Sequence, residues 1–305
     1  MPNAIARQEW LEPVAKQLQR LLHRAFEAGG TPGHKAKNLL HGTWLSHPVH
    51  VILTDIPLGG WTAAMVFDAL ELATSRREFQ VAADTAVTIG LVGAAGAAVT
   101  GLTDFQDIDP PASRIGMVHG LLNITAASLF LTSLIQRRAN ARSAGRRFAL
   151  MGFLVGVSAA FLGGALVYDQ GIGVDHTLGQ SFPEDFTSVL SESALPEGEL
   201  KRIEYDGVPI LLVKRGNQIL AVAETCSHLG GPLSEGKLIG NGVQCPWHAS
   251  QFSLEDGRVL DGPAVHPLPC LEVRVNNGEI EVRTRKAKQN SAGTSGATVP
   301  RPEAA

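Results

Sequence analysis

Four apolar stretches, at about residues 49–72, 82–103, 116–136 and 147–168, constrain this chain more than any other feature of its sequence. Each approaches the ~20 residues a helix needs to cross the hydrocarbon core of a bilayer. They follow one another through short connectors, which favours membrane spans over the core helices of a soluble domain. The second, AADTAVTIGLVGAAGAAVTGL, and the fourth, FALMGFLVGVSAAFLGGALVY, are rich in small residues that let helices approach closely in lipid.

Charge separates this part from the rest. The chain is 18% charged with a net charge of −3, yet between Val49 and Tyr168 charges fall mostly in connectors. From Phe182 onward polar and apolar residues alternate between turn signals, as in short strands. The expected fold class is therefore an α-helical transmembrane four-helix bundle plus a small all-β domain. The expected division is an amphipathic segment at 1–45, the four-span domain at 46–170 and a linker at 171–182. A second domain at 183–285 and a polar, disordered tail at 286–305 follow. In the first segment Trp10, Leu11, Val14, Leu18, Leu21, Leu22 and Phe26 recur at helical spacing beside Arg20 and Arg24. That pattern fits a helix lying in the membrane interface or one packed on its neighbours. The partner implied is a lipid bilayer; the charge balance suggests no nucleic acid. The first residues carry no charged-then-apolar signal sequence.

Three cysteines make no secreted disulfide framework. Two of them stand with histidines in Cys226-x-His228 and Cys245-x-x-His248, pairs that sixteen residues separate. Such a set could bind zinc. The order argues otherwise, because each loop offers one thiolate and one imidazole. One iron can then take both sulfurs and a second both nitrogens, the mixed ligation of a [2Fe–2S] centre. Gly230, Gly231 and Pro232 turn the first loop, Pro246 stiffens the second, and the Ser250 hydroxyl stands within reach of a cluster sulfide.

With these residues in place, the chain from about Thr187 to Arg283 resembles the Rieske family. VLDGPAVHPLPCLEVRVNNGEIEVR is similar to its third cluster-side loop, here with Gly262 and Pro263, and two closing strands. The resemblance implies that Cys226 and Cys245 bind a buried iron. His228 and His248 would bind an outer iron, with their ring edges near solvent. In the quinol-oxidising branch of the family each loop adds a disulfide cysteine; the corresponding positions here are Gly230 and Trp247. Phe252 stands where that branch commonly has a tyrosine. Losing a hydrogen bond to sulfur lowers the potential, while Ser250 acts the other way. The expected potential lies toward the lower part of a range of roughly −150 to +300 mV. Cys270, in an apolar strand, reads as a small buried hydrophobe.

Arg76 and Arg77 follow the first span, and Arg137, Arg138, Arg142, Arg146 and Arg147 lie between the third and fourth. The connector DFQDIDPPASR, on the opposite side, is acidic apart from Arg114. The positive-inside rule then puts the arginines in the cytoplasm and both termini outside, against a weak opposing signal from Lys35 and Lys37. GRRFALMG, before the last span, resembles the internal twin-arginine signal of some multi-span Rieske proteins. It implies export of the folded domain across a bacterial cytoplasmic (inner) membrane.

The segments HGTWLSHPVHVILTDIPLGG, RIGMVHGLLN, GLTDF and GGALVYDQGIGVDH resemble a family of four-span bacterial membrane proteins, which implies no assigned chemistry. Topology collects His47, His50, His119, Asp104, Asp169 and His176 at the end that carries the second domain. Three readings follow. His50 and His119 could ligate a b-type haem, with His47 beside them. The cluster could form a quinone pocket whose His and Asp move protons. Otherwise His41 and His47 are interfacial side chains, and His50 and His119 bond to backbone or to each other. Thioether-linked haem is excluded, as no C-x-x-C-H exists.

The expected function is one-electron transfer by a membrane-anchored iron–sulfur protein, between a membrane haem b or quinone and a redox partner protein. This describes an electron-transport component rather than a stand-alone enzyme. The competing classes are an electron-feeding subunit of an oxygenase system and a redox or iron sensor. A two-His-one-carboxylate oxygenase site has no room after Arg285.

Overall fold

The computed structural model describes residues 1–285; the tail expected at 286–305 lies outside the described residues. Three helices come first: α1 (Pro2–Ala6), α2 (Leu11–Ala28) and α3 (Gly30–His41). Four long helices follow, α4 (Val49–Thr74), α5 (Arg77–Phe105), α6 (Ala112–Arg138) and α7 (Arg142–Tyr168), each long and apolar enough to cross a membrane. Extended Pro48 precedes α4, and Ser75, with a φ of 54°, ends it. The helices run a few residues past the apolar windows because the charges at their ends find partners.

α4 pairs with α5 and α6 with α7 as antiparallel hairpins, and the two hairpins meet each other more sparsely. Small residues set the close approach. A Cβ added to Gly90 would run into the Trp61 ring. That indole stacks on Phe130 with ring centroids 4.3 Å apart, joining the hairpins. Val66, Ile89, Val92, Ile124, Leu154 and Phe161 face outward, as lipid contact requires.

At the end that carries the arginine connectors, the buried Arg137 bonds to Asp68 and Asp84. Arg142 reaches Glu71 at 2.7 Å and Asp84 at 3.0 Å, and Arg146 reaches Glu71 at 3.1 Å. Three of the connector arginines are thus ion-paired with carboxylates from α4 and α5.

At the opposite end α2 and α3 cover the bundle. Leu11 and Ala15 are buried against Phe105, Ile108 and Met117. Gln19 Nε2 donates to the carbonyls of Phe105 and Ile108 at 2.9 and 2.8 Å. The amphipathic helix is therefore packed on its neighbours, although Trp10, Val14 and Leu21 stay exposed.

The rest of the chain is all-β. One antiparallel sheet has the order β1-β10-β9-β4-β3-β2, from β1 (Thr187–Ser191), β2 (Lys201–Tyr205), β3 (Val208–Arg215), β4 (Gln218–Ala223), β9 (Cys270–Asn276) and β10 (Glu279–Thr284). A smaller sheet is ordered β5 (Lys237–Ile239), β6 (Gly242–Gln244), β7 (Gln251–Ser253) and β8 (Val259–Asp261). β3 reads Ile-Leu-Leu-Val without alternation because both of its faces are covered. Leu211 and Val213 pack with Val222, Leu233, Val243 and Phe252, while Ile210 and Leu212 pack with Leu271 and Ile280. Asn277 and Gly278, at φ 51° and 80°, turn the β9–β10 hairpin as an Asn-Gly pair does.

Candidate metal centre

The β4–β5 connection carries Cys226 and His228, and the β6–β7 connection carries Cys245 and His248. Backbone bonds close both loops: Cys226 N–H to Gly231 O at 2.8 Å, Gly230 N–H to Cys226 O at 2.9 Å, and Cys245 N–H to Ser250 O at 2.8 Å. Gly230 holds a φ of +79°, which a side chain would resist.

The loops bring like donors together. The Cys226 and Cys245 thiols neighbour one another, and that proximity together with burial pushes the Cys226 pKa up. The rings of His228 and His248 stand 5.1 Å apart at 85°. Burial pushes His228 down to about 3, so its ring is neutral, the form that binds metal. Among the described residues, no three His, Cys, Asp or Glu converge as a single ion would need. Two sulfurs in one pair and two imidazoles in another fit two irons better than one zinc. The fully buried Ser250 accepts from Ala264 N–H at 3.0 Å, leaving its own proton free to be donated. A Cβ on Gly231 would lie 2.9 Å from Cys245 Sγ and 3.0 Å from the Trp247 ring. Gly231, and not Gly230, is therefore the residue facing Trp247, which corrects the pairing inferred from spacing. Pro246 is exposed beside it.

The histidine edges do not point to open solvent, contrary to expectation. His248 Nε2 stands 3.0 Å from Asp109 Oδ2, in the α5–α6 connector, and the ring is only 12% exposed. Asn38 of α3 donates to Asp261 at 2.8 Å and accepts from Gly262 N–H at 2.8 Å. His47 meets His266 edge-on at 6.1 Å. A cavity of about 40 Å³ lies between the halves, lined by Pro48, His41, Asp104, His228 and His266 among others. The linker packs here too: His176 N–H donates to Ser227 O at 3.1 Å, and Gln180 donates to Thr225 at 2.8 Å.

His41 is not interfacial. It is buried, with Nδ1 2.7 Å from Asp104 and Nε2 3.5 Å from Asp107. Lys37 Nζ is 3.0 Å from Asp107, and His23 Nε2 is 3.6 Å away. Burial acts to lower the His41 pKa, but the two carboxylates outweigh it and raise it. Burial likewise acts to raise Asp107, and His41 and Lys37 hold it down. Sequence reasoning passed over Asn38, Asp107 and Asp109. The only available signal was their place in an acidic connector and on a helix face that meets it.

His50 and His119 are brought together inside the bundle, with ring centroids 6.5 Å apart at 87°. Their Nδ1 atoms are 2.9 Å from the carbonyls of Ala97 and Ala159. His47 does not join them. His176 Nε2 turns to Gly171 O at 3.0 Å, and Asp169 is the C-cap of α7.

The Rieske [2Fe-2S] domain family matches residues 185–272, and the family described as Predicted membrane protein (DUF2231) matches residues 46–176. Ferredoxin CarAc of Metapseudomonas resinovorans is 33% identical over 99 residues, 32% of this chain and 92% of that ferredoxin. The 3-phenylpropionate/cinnamic acid dioxygenase ferredoxin subunit of Escherichia coli (strain K12) is 38% identical over 95 residues, 31% of this chain and 89% of the subunit. Apoptosis-inducing factor 3 of Homo sapiens is 32% identical over 92 residues, 30% of this chain, and the chain spans only 15% of its length.

Proposed function

The chain belongs to the Rieske [2Fe-2S] family through its C-terminal domain, and on that premise we propose a one-electron carrier whose cluster is docked on its own membrane anchor. Cys226 and Cys245 would hold one iron, and His228 and His248 the other. The bound cluster supplies one-electron chemistry without transferring a proton or breaking a bond. The Ser250 hydroxyl, which accepts from Ala264 N–H, would have its own proton free to donate toward cluster sulfur. Asp109 accepts from the outward Nε2–H of His248, leaving Nδ1 to face the site.

The observation that carries this reading is the contact of His248 with Asp109, beside a His228 that lines the interdomain cavity. It supports electron exchange with a group on the membrane side, a haem b or a quinone. The cavity is narrow, about 40 Å³, and enclosed partly by the β domain. A quinone there would need the β domain to lift, with His41 and Asp104 as proton acceptors. The second terminus of the route is a soluble redox protein. The dioxygenase ferredoxin subunit among the relatives favours an oxygenase component, and Trp247, 55% exposed beside His248, offers it an open edge. The arginine connectors support placing the cluster on the extracytoplasmic side of a bacterial inner membrane.

The test uses the full chain in lipid nanodiscs, with cluster oxidation by ferricyanide followed by absorbance. Replacing both Asn38 and Asp109 with Ala should undock the cluster and speed its reaction with this water-soluble oxidant several-fold. Equal rates in the variant and the native protein would overturn docking as the organising feature.

A further inference from the structure

The two membrane hairpins repeat one arrangement. In the first, His50 at the end of α4 nearer the β domain sends its Nδ1 to the carbonyl of Ala97 on α5, at 2.9 Å. In the second, His119 near the same end of α6 sends its Nδ1 to the carbonyl of Ala159 on α7, also at 2.9 Å. Four residues past each alanine stands a glycine, in AAVTG (97–101) and AAFLG (159–163). A Cβ on Gly101 would lie 2.7 Å from His50 Cε1, and one on Gly163 would lie 3.0 Å from His119 Cε1. Each hairpin thus supplies one imidazole, one carbonyl that orients it and one glycine that makes room for it.

We propose that His50 and His119 are the two axial ligands of a b-type haem held between the hairpins. A backbone carbonyl bonded to Nδ1 can only accept, so Nδ1 carries the ring proton and Nε2 presents a lone pair. A metal bound in line by two imidazole nitrogens, each about 2.0 Å away, separates their ring centroids by about 6 Å. The observed 6.5 Å matches that spacing. Two imidazoles are too few for a bare ion, and among the described residues no third His, Cys, Asp or Glu joins them. A haem brings its own four nitrogens and asks the protein for two axial ligands only. The two hairpins meet each other more sparsely than their own helices do, and a flat macrocycle would lie along that seam. Asn123 Nδ2, 3.1 Å from His119 Nε2, must turn away, but it already donates to the His119 carbonyl at 3.0 Å. Its release therefore leaves that bond in place.

The site's purpose rests on the electron-carrier reading, while its geometry does not. Pro48 lines the cavity that His228 also lines, and His50 is two residues further along the chain. At about 1.5 Å of rise per helical residue, His50 lies within one helical turn of that cavity.

The full chain, made in cells supplied with haem precursor and iron, should show a Soret band and a pyridine haemochrome of about one haem b per chain. His50→Ala and His119→Ala should each lose at least nine-tenths of that absorbance while keeping the Rieske EPR signal, which reports that the β domain is folded. Haemin titrated into haem-depleted protein should bind at one per chain and fail to bind the variants. A preparation with the cluster signal but no haem, which also refuses haemin, overturns this site and leaves the electron-carrier reading standing. Haem retained in both variants overturns the ligand assignment. Haem without a cluster signal would sink the carrier reading and not this one.

Discussion

His248 Nε2 stands 3.0 Å from Asp109 Oδ2, a contact that bridges 139 residues and joins a cluster-binding loop to the end of the membrane bundle that α2 and α3 cover. It places a carboxylate charge against the imidazole proposed to hold the outer iron. Negative charge there disfavours the added electron of the reduced cluster, so it holds the potential down.

Asp109→Asn should therefore raise the midpoint potential. A charge-assisted hydrogen bond exceeds a neutral one by about 1 kcal/mol, or about 40 mV for one electron. Asp109 is 70% exposed, so solvent screening reduces the expected shift to about 20 mV. An EPR-monitored redox titration measures it. An unchanged or lowered potential would count against the contact.

His41 gives a pH dependence. Its pKa is raised in the folded protein, chiefly against burial, by Asp104 and Asp107, with Lys37 and His23 also facing the pair. The stability it contributes is fully present below the unfolded value of about 6.5 and is lost as pH rises through the raised folded value. Thermal unfolding in detergent should therefore fall in midpoint as pH rises above about 6.5. His41→Gln should flatten that slope, and a slope equal to that of the native protein would exclude His41 as its source.

The four spans were legible because uninterrupted apolar stretches of that length rarely form anything but membrane helices, and the two loops that bring Cys226, His228, Cys245 and His248 together because C-x-H and C-x-x-H occur in that order. The docking was not legible. Asn38, His41, Asp107 and Asp109 are ordinary polar residues in sequence, and only the folding of α3 and the acidic connector over the bundle turns them toward the cluster loops. His47 and His50 are three residues apart yet part company, since one precedes α4 and meets His266 while the other lies within the helix. Spacing alone also set Gly230 against Trp247, where the turn presents Gly231.

Arg137 is the buried centre of the network beside the arginine connectors, bonded to Asp68 and Asp84. Arg137→Leu takes from the buried Asp68 its close partner, while Asp84 keeps Arg142 at 3.0 Å, and should cost about 3–5 kcal/mol. The double replacement Arg137→Leu with Asp68→Leu should recover part of that loss, read as thermal midpoints in detergent. If the double variant is worse by the sum of the single effects, the two residues are not coupled.

Sidedness can be read with a reporter fused to the C-terminus, which should be active outside the cytoplasm. Arg146 pairs with Glu71 at 3.1 Å, and lysine keeps that charge. Replacing Arg146 and Arg147 with Lys should therefore leave the bundle intact and retain the β domain inside. A cytoplasmic reporter in the native chain would reverse the topology.

Whether Cys226, His228, Cys245 and His248 hold a [2Fe–2S] cluster is decided by EPR of the purified, dithionite-reduced full chain, with iron, sulfide and zinc analysed on the same sample. Two irons and two sulfides per chain are expected, with a signal of the low average g that mixed Cys/His ligation gives. That signal should be lost in Cys226→Ala and in His248→Ala. A colourless, EPR-silent protein carrying one zinc would rule the cluster out.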